Sequence, residues 1–147
     1  MEKQEQINID DSIIMQLRDI NHIMRALYEG KGSQKRILII LYEHQGTMTQ
    51  KELTKQLNIQ PGSVSEVIAK LEHNGFIIRK PSQIDGRTMS IELTQEGMVV
   101  AYEAKKQRQK RHQEMFSCLT QSQKEEFISL LEIINCDWKK KYSNAKK

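Results

Sequence analysis

The sequence predicts a mainly α-helical chain that carries one small β-hairpin. Three observations lead there. Apolar residues recur at a helical period along most of the chain, with capping residues and glycines marking where each helix starts and stops. Between Thr49 and Thr94 the order reads helix, tight turn, helix, strand, polar tip, strand. Long amphipathic stretches lie outside that segment, one at each end of the chain. The expected fold class is a winged helix-turn-helix with N- and C-terminal dimerisation helices.

From Asp11 onward, Ile13, Leu17, Ile20, Met24 and Leu27 share one helical face, which Ile14 and Ile23 widen. Gly30-Lys31-Gly32 ends that helix. Ser33 is placed to cap the next, whose Ile37, Leu38, Ile40 and Leu41 pack a face before Gly46 closes it. Thr49-Gln50-Lys51-Glu52 is a capping box, in which the threonine hydroxyl and the glutamate satisfy each other's orphan backbone N–H groups. The short helix it opens turns Leu53 and Leu57 inward. Asn58-Ile59-Gln60 turns the chain, and Pro61 opens the following helix at a position where a missing N–H costs nothing. Val64, Val67, Ile68 and Leu71 make its buried stripe, and Asn74-Gly75 stops it with a left-handed cap.

Phe76 to Lys80 and Met89 to Leu93 read as strands, with the turn dipeptide Asp85-Gly86 between them. Thr94 caps a long helix to about Ser117, whose stretch from Lys105 to Glu114 is almost wholly polar. Thr120-Gln121-Ser122-Gln123 is a second capping box. The last helix carries Phe127, Leu130, Leu131, Ile134 and Trp138 on one face.

At 147 residues there is room for one small domain with helical extensions. The expected division is 1–30 for an N-terminal dimerisation helix, 31–97 for the winged helix-turn-helix, and 98–147 for a linker helix and C-terminal dimerisation helix. The apolar sectors of the two terminal helices are wider than one small domain can cover. Ile13, Leu17, Ile20, Phe127, Leu130, Leu131, Ile134 and Trp138 are therefore expected to bury themselves against a second copy. The formal charge of +4 is unevenly spread: residues 1–30 are net −3, residues 31–93 net +3 and residues 94–147 net +4. A polyanion-facing middle has this distribution, and so do many ordinary surfaces.

The stripe through Val64 and Leu71 turns its back on Gln60, Pro61, Gly62, Ser63, Ser65, Glu66 and Lys70, the face expected to meet base edges in a DNA major groove. In the hairpin, Arg87 lies just past the turn, where a long guanidinium reaches a narrow minor groove, with Asp85 and Gly86 shaping the tip. Asp85 is placed to orient Arg87 through a charge-assisted bond. Arg79 and Lys80, with Lys35, Arg36, Lys51 and Lys55, are candidates for phosphate contacts.

The run Asp85-Gly86-Arg87-Thr88-Met89-Ser90-Ile91-Glu92-Leu93-Thr94, followed by Glu96-Gly97, resembles the wing signature of the MarR family of bacterial regulators. Gln60-Pro61-Gly62-Ser63-Val64-Ser65 and Lys70-Leu71-Glu72, with Gly75-Phe76-Ile77, resemble its recognition helix and the strand after it. The likeness extends over nearly the whole chain. It implies a homodimer with interlocked terminal helices on a pseudo-palindromic operator, with recognition helices roughly 34–36 Å apart. It also implies that the family's wing arginine is Arg87 and its acidic partner Asp85. Glu66 departs from the basic residue that many relatives carry there. Relatives often respond to small aromatic or phenolic compounds, so such an effector is a possible partner; its lining residues are not legible in the sequence.

Other chemistries fit poorly. No glycine-rich phosphate loop and no supported Ser/His/Asp arrangement points to an enzyme, and no cofactor is expected. His22, His44, His73 and His112 are scattered without a metal-ligand pattern. Cys118 and Cys136 read as unpaired thiols of a cytoplasmic protein rather than as a redox switch. No apolar run is long enough for a membrane span. The functional expectation is a sequence-specific transcriptional regulator, a repressor released by a small molecule. The alternative is a winged helix used for protein contacts without specific DNA binding.

Overall fold

A computed structural model describes residues 8–28, 33–84 and 86–144. Its elements in chain order are α1 (Ile9–Leu27), α2 (Gln34–Glu43), β1 (Thr47–Thr49), α3 (Gln50–Leu57), α4 (Pro61–His73), β2 (Ile77–Pro81), β3 (Met89–Leu93), α5 (Gln95–Met115) and α6 (Gln121–Tyr142). The chain divides into two compact units, Met1–Tyr102 and Glu103–Lys147, with the boundary inside α5.

Local chemistry explains most helix ends. Ser33 Oγ accepts from the Arg36 amide at 3.2 Å. In the first capping box the Glu52 amide donates to Thr49 Oγ1 at 3.1 Å, and the Thr49 amide donates to Glu52 Oε2 at 3.1 Å. The second box repeats this between Thr120 and Gln123, at 3.2 and 2.9 Å. Asn58 and Gly75 take left-handed backbone, φ 52° and 78°, where α3 and α4 stop. α1 starts two residues ahead of its expected position because Asn8 caps it, its side chain accepting from the Asp10 amide at 3.0 Å.

The sheet has three strands in the order β1-β3-β2, all antiparallel. β1 is not expected from the sequence. It forms because Gln45 and Gly46, both at positive φ, reverse the chain after α2 and lay Thr47–Thr49 beside β3. The Leu93 amide donates to Gly46 O at 2.8 Å, extending the seam. Three residues are too short to show an alternating pattern.

Beneath the sheet lies one core: Ile37, Leu38, Ile40 and Leu41 of α2, Leu53 and Leu57 of α3, Val64, Ile68 and Leu71 of α4, Ile77, Ile91 and Leu93 of the sheet, and Ala101 of α5. α2 is covered on all sides from Ile37 to Leu41, more than the single face expected. Each fully buried aliphatic side chain here contributes about 1.5–3 kcal/mol. The winged helix therefore has a core of its own.

α1 and α6 differ. Neither contains a buried residue. On α1, Ile13 is 47% exposed and Ile20 is open too, with Leu17 half-buried. On α6, Leu130 is 53% and Trp138 44% exposed, Phe127 is open, and Leu131 and Ile134 are half-buried. Trp138 and Tyr142 meet edge to face at 6.3 Å.

Candidate nucleic-acid interface

The interface is built on α4. Its inward stripe is buried as expected, with Val67 half-covered. That leaves Gln60, Pro61, Gly62, Ser63, Ser65, Glu66 and Lys70 all exposed on the outer side. The helix begins with Pro61, which has no N–H, and no side chain caps its first turn; the Ser63 and Val64 amides both donate to Gln60 O, and the positive end of the helix dipole faces outward there. A Cβ on Gly62 would meet nothing within 4 Å. The protein's own fold does not demand a glycine at this point.

Ser65 is not a loose hydroxyl. Its Oγ donates to Pro61 O at 3.1 Å and accepts from Gln50 Nε2 at 2.9 Å. Gln50, the first residue of α3, thus joins the two helices of the motif across fifteen positions of sequence. In the sequence it stands merely as a spacer in a capping box. A lateral contact of this kind leaves no periodic or local signal.

β2 and β3 project as a hairpin. Its tip loop is closed by the Ser82 amide donating to Thr88 O at 2.8 Å, just beyond the last strand pair Pro81–Met89, and is bent by the Ile84 amide donating to Ser82 Oγ at 3.3 Å. Gly86 and Arg87 are exposed at this tip. Asp85 lies outside the described residues, and so does the expected pairing of Asp85 with Arg87. Ile84, which sequence reading passed over, is 99% exposed beside them.

Arg79 and Lys80 of the wing both pair with carboxylates of the fold. Arg79 donates from Nε to Glu72 Oε2 and from Nη2 to Glu72 Oε1, both at 3.0 Å. This fork ties the end of α4 to β2. Lys80 Nζ lies 2.8 Å from Glu92 Oε2 of the neighbouring strand. Both were expected on phosphates; in this structure both hold carboxylates. Exposed pairs of this sort are screened by solvent and contribute little, and the forked geometry puts Arg79–Glu72 among the better ones.

The Arg79 hydrogen bonds hold the Glu72 carboxyl below its ordinary 4.5, against a smaller upward push from desolvation, and Arg79 is raised in turn. The pair's contribution is therefore intact above pH 4.5 and is lost as pH falls through the lowered value. Carboxyl NMR titration should find the Glu72 midpoint lower in the wild type than in Arg79→Ala. A midpoint that Arg79→Ala leaves unchanged overturns the pairing.

Lys35 and Arg36 sit exposed in the first turn of α2, and Lys51 and Lys55 exposed on α3. Two cations at a helix N-terminus oppose its dipole, so their position is not explained by helix stability. An open groove of about 310 Å³ lies between Gln34 of α2 and Ala69, Lys70, His73 and Asn74 at the end of α4. Among the described residues no group of His, Cys, Asp and Glu is arranged to hold a metal ion, and no helix is long and apolar enough to cross a membrane.

Comparison with known proteins matches this geometry. The MarR family model matches residues 32–89. Over 95 residues the chain is 33% identical to the uncharacterized HTH-type transcriptional regulator YwhA of Bacillus subtilis (strain 168), covering 65% of this chain and 68% of that protein. In fold it is similar to a MarR variant from E. coli crystallised with operator DNA, with TM-score 0.60 and 24% identity over 69% of this chain and 72% of that one. It is also similar to an organohalide-sensing transcriptional regulator in its 2,4-dichlorophenol-bound form, with TM-score 0.66 and 18% identity over 100% of this chain and 92% of that one.

Proposed function

The chain belongs to the MarR family of transcriptional regulators, and from that premise we propose that it binds a pseudo-palindromic operator as a homodimer and represses transcription until a small molecule releases it. One observation carries the DNA reading. The uncapped, wholly exposed outer face of α4 and the exposed tip bearing Gly86 and Arg87 are mounted on a single core. In this reading Gln60, Ser63, Ser65 and Glu66 meet base edges, while Pro61 and Gly62 let the backbone approach and Lys70 faces the groove wall. Arg87, oriented by Asp85, enters the minor groove beside it. Lys35, Arg36, Lys51 and Lys55 meet phosphates. Arg79 and Lys80 are left to position the wing.

Selection from random duplexes with the purified protein tests this. An enriched two-fold motif is expected, with half-sites one helical turn apart. On random duplex, log K should fall with log salt by about 0.9 per phosphate contact. No motif, together with salt-independent binding, would favour a protein-docking role for the α4 face.

The homodimer is supported by the uncovered apolar faces of α1 and α6. Burial there at about 25 cal/mol per Å² would make a folded monomer marginal. Sedimentation across a dilution series should show dimer dissociation coupled to loss of helicity. A fully folded monomer at every concentration contradicts this.

The effector is proposed to be a small aromatic or phenolic compound, by analogy with the fold relative holding 2,4-dichlorophenol. It would act through unequal affinity for two dimer shapes with different spacing of the α4 helices. Operator affinity unchanged by phenolic compounds would remove this part of the reading.

A further inference from the structure

We propose that Gln50 is a positioning residue for base reading: it holds Ser65 so that the hydroxyl can only accept a hydrogen bond from DNA, and the base opposite must therefore carry an exocyclic amino group, cytosine N4 or adenine N6. The inference rests on the DNA-binding reading of α4 and goes further, to the polarity of one contact.

A serine hydroxyl has one proton to donate and two lone pairs to accept with. Around Ser65 the proton has a fixed destination. Pro61 O, a carbonyl that can only accept, lies 3.1 Å from Oγ, so Ser65 donates there. The Gln50 amide at 2.9 Å must then supply a donor, which orients Nε2 toward Ser65 and Oε1 away. One lone pair remains, on the exposed side of α4. In the major groove the groups that donate are cytosine N4 and adenine N6; guanine O6 and N7, adenine N7 and thymine O4 all accept. An acceptor on the DNA would find no proton at Ser65 unless the bond to Pro61 O broke.

Gln50 is well anchored for this task. It is the first residue of α3, directly after the Thr49/Glu52 box, and its own carbonyl accepts from Thr54 Oγ1 at 2.7 Å. It is also half-buried, whereas Ser65 is exposed. The side chain therefore reaches from a fixed backbone to a hydroxyl that would otherwise be held at the surface by its bond to Pro61 O alone.

The test begins with the operator selected by the wild-type protein. Within each half-site, cytosines and adenines are replaced singly by analogues that lack the exocyclic amino group, and affinity is measured for the wild type, Ser65→Ala and Gln50→Met. Methionine keeps the length and helix propensity of glutamine and removes its donor. At one position, deletion of the amino group should cost the wild type about fivefold, the worth of one net hydrogen bond. Ser65→Ala should be indifferent to that deletion, and Gln50→Met, whose Ser65 keeps only its bond to Pro61 O, should lose clearly less than the wild type. Gln50→Met should also keep the wild type's affinity for random duplex and its melting temperature, which separates positioning from folding. Gln50→Ala repeats the measurement if methionine is not tolerated.

Two outcomes overturn the proposal while leaving DNA binding intact. If Gln50→Met is as sensitive to the deletion as the wild type, Gln50 positions nothing. Alternatively, the wild type responds at the Ser65 position to loss of guanine O6 or thymine O4 instead, which would make Ser65 a donor. A wild type that enriches no motif is a different result, and it defeats the DNA reading itself.

Discussion

Arg87→Ala should weaken operator binding by about 1–3 kcal/mol and reduce the salt slope by about one, while leaving melting temperature and oligomeric state unchanged. The expectation follows from where the residue stands. Arg87 is exposed in a hairpin tip that the Ser82–Thr88 hydrogen bond closes, so shortening it opens no cavity in the core. Arg79 and Lys80 cannot replace it without leaving Glu72 and Glu92. A guanidinium in a narrow minor groove gains from the concentrated negative potential there, and more on A·T-rich flanks than on G·C-rich ones. Titrations against duplexes differing in those flanks would show the mutant losing most where the wild type binds best. Unchanged operator affinity would remove the wing from the mechanism.

Gly97→Ala should have the largest effect on stability, roughly 3 kcal/mol, and lower the melting temperature by about 10 °C. Gly97 is buried in the first turn of α5. A Cβ there would stand 1.9 Å from Phe76 O, 2.9 Å from Phe76 C and 3.2 Å from Leu93 Cδ2. Backbone at that distance cannot step aside as a flexible side chain would. The start of α5 has to lift instead, and it is bound at that point. The Thr94 amide donates to Phe76 O at 3.0 Å, Thr94 Oγ1 donates to Gly75 O at 2.6 Å, and the Gly97 amide donates back to Thr94 Oγ1 at 3.0 Å. Gly62→Ala is the control, since its Cβ meets nothing and alanine is the better helix former. Equal melting temperatures for Gly97→Ala and wild type would contradict the tight approach.

What the sequence shows well is whatever is encoded within a few residues. Both capping boxes, Pro61 at the head of α4, the stripe from Val64 to Leu71 and the left-handed Gly75 stand where local patterns place them. The two strands of the hairpin were legible for the same reason, through alternation and a turn dipeptide. β1 was not, because it exists through pairing with β3 rather than through any preference of Thr47–Thr49. Site chemistry follows the same division. The outward side of α4 is a consequence of helical period. The fork between Arg79 and Glu72 spans a turn between helix and strand, and the Gln50–Ser65 bond spans two helices; tertiary geometry alone creates them. Reading Arg79 and Lys80 as phosphate ligands followed from their charge, without sight of the carboxylates that hold them.

The middle position of β3 has a mechanical result. On one edge it is laced to β1, which runs straight into α3; on the other it is laced to β2, which α4 feeds and the Arg79 fork braces. Twisting the hairpin about its stem would strain both helices of the motif together, so residues 33–93 should behave as a single stiff cassette. Hydrogen exchange would display this as amides of α3, α4 and β3 opening in one cooperative step. A signal that tunes such a cassette works by aiming it, much as one turns a key without bending its teeth.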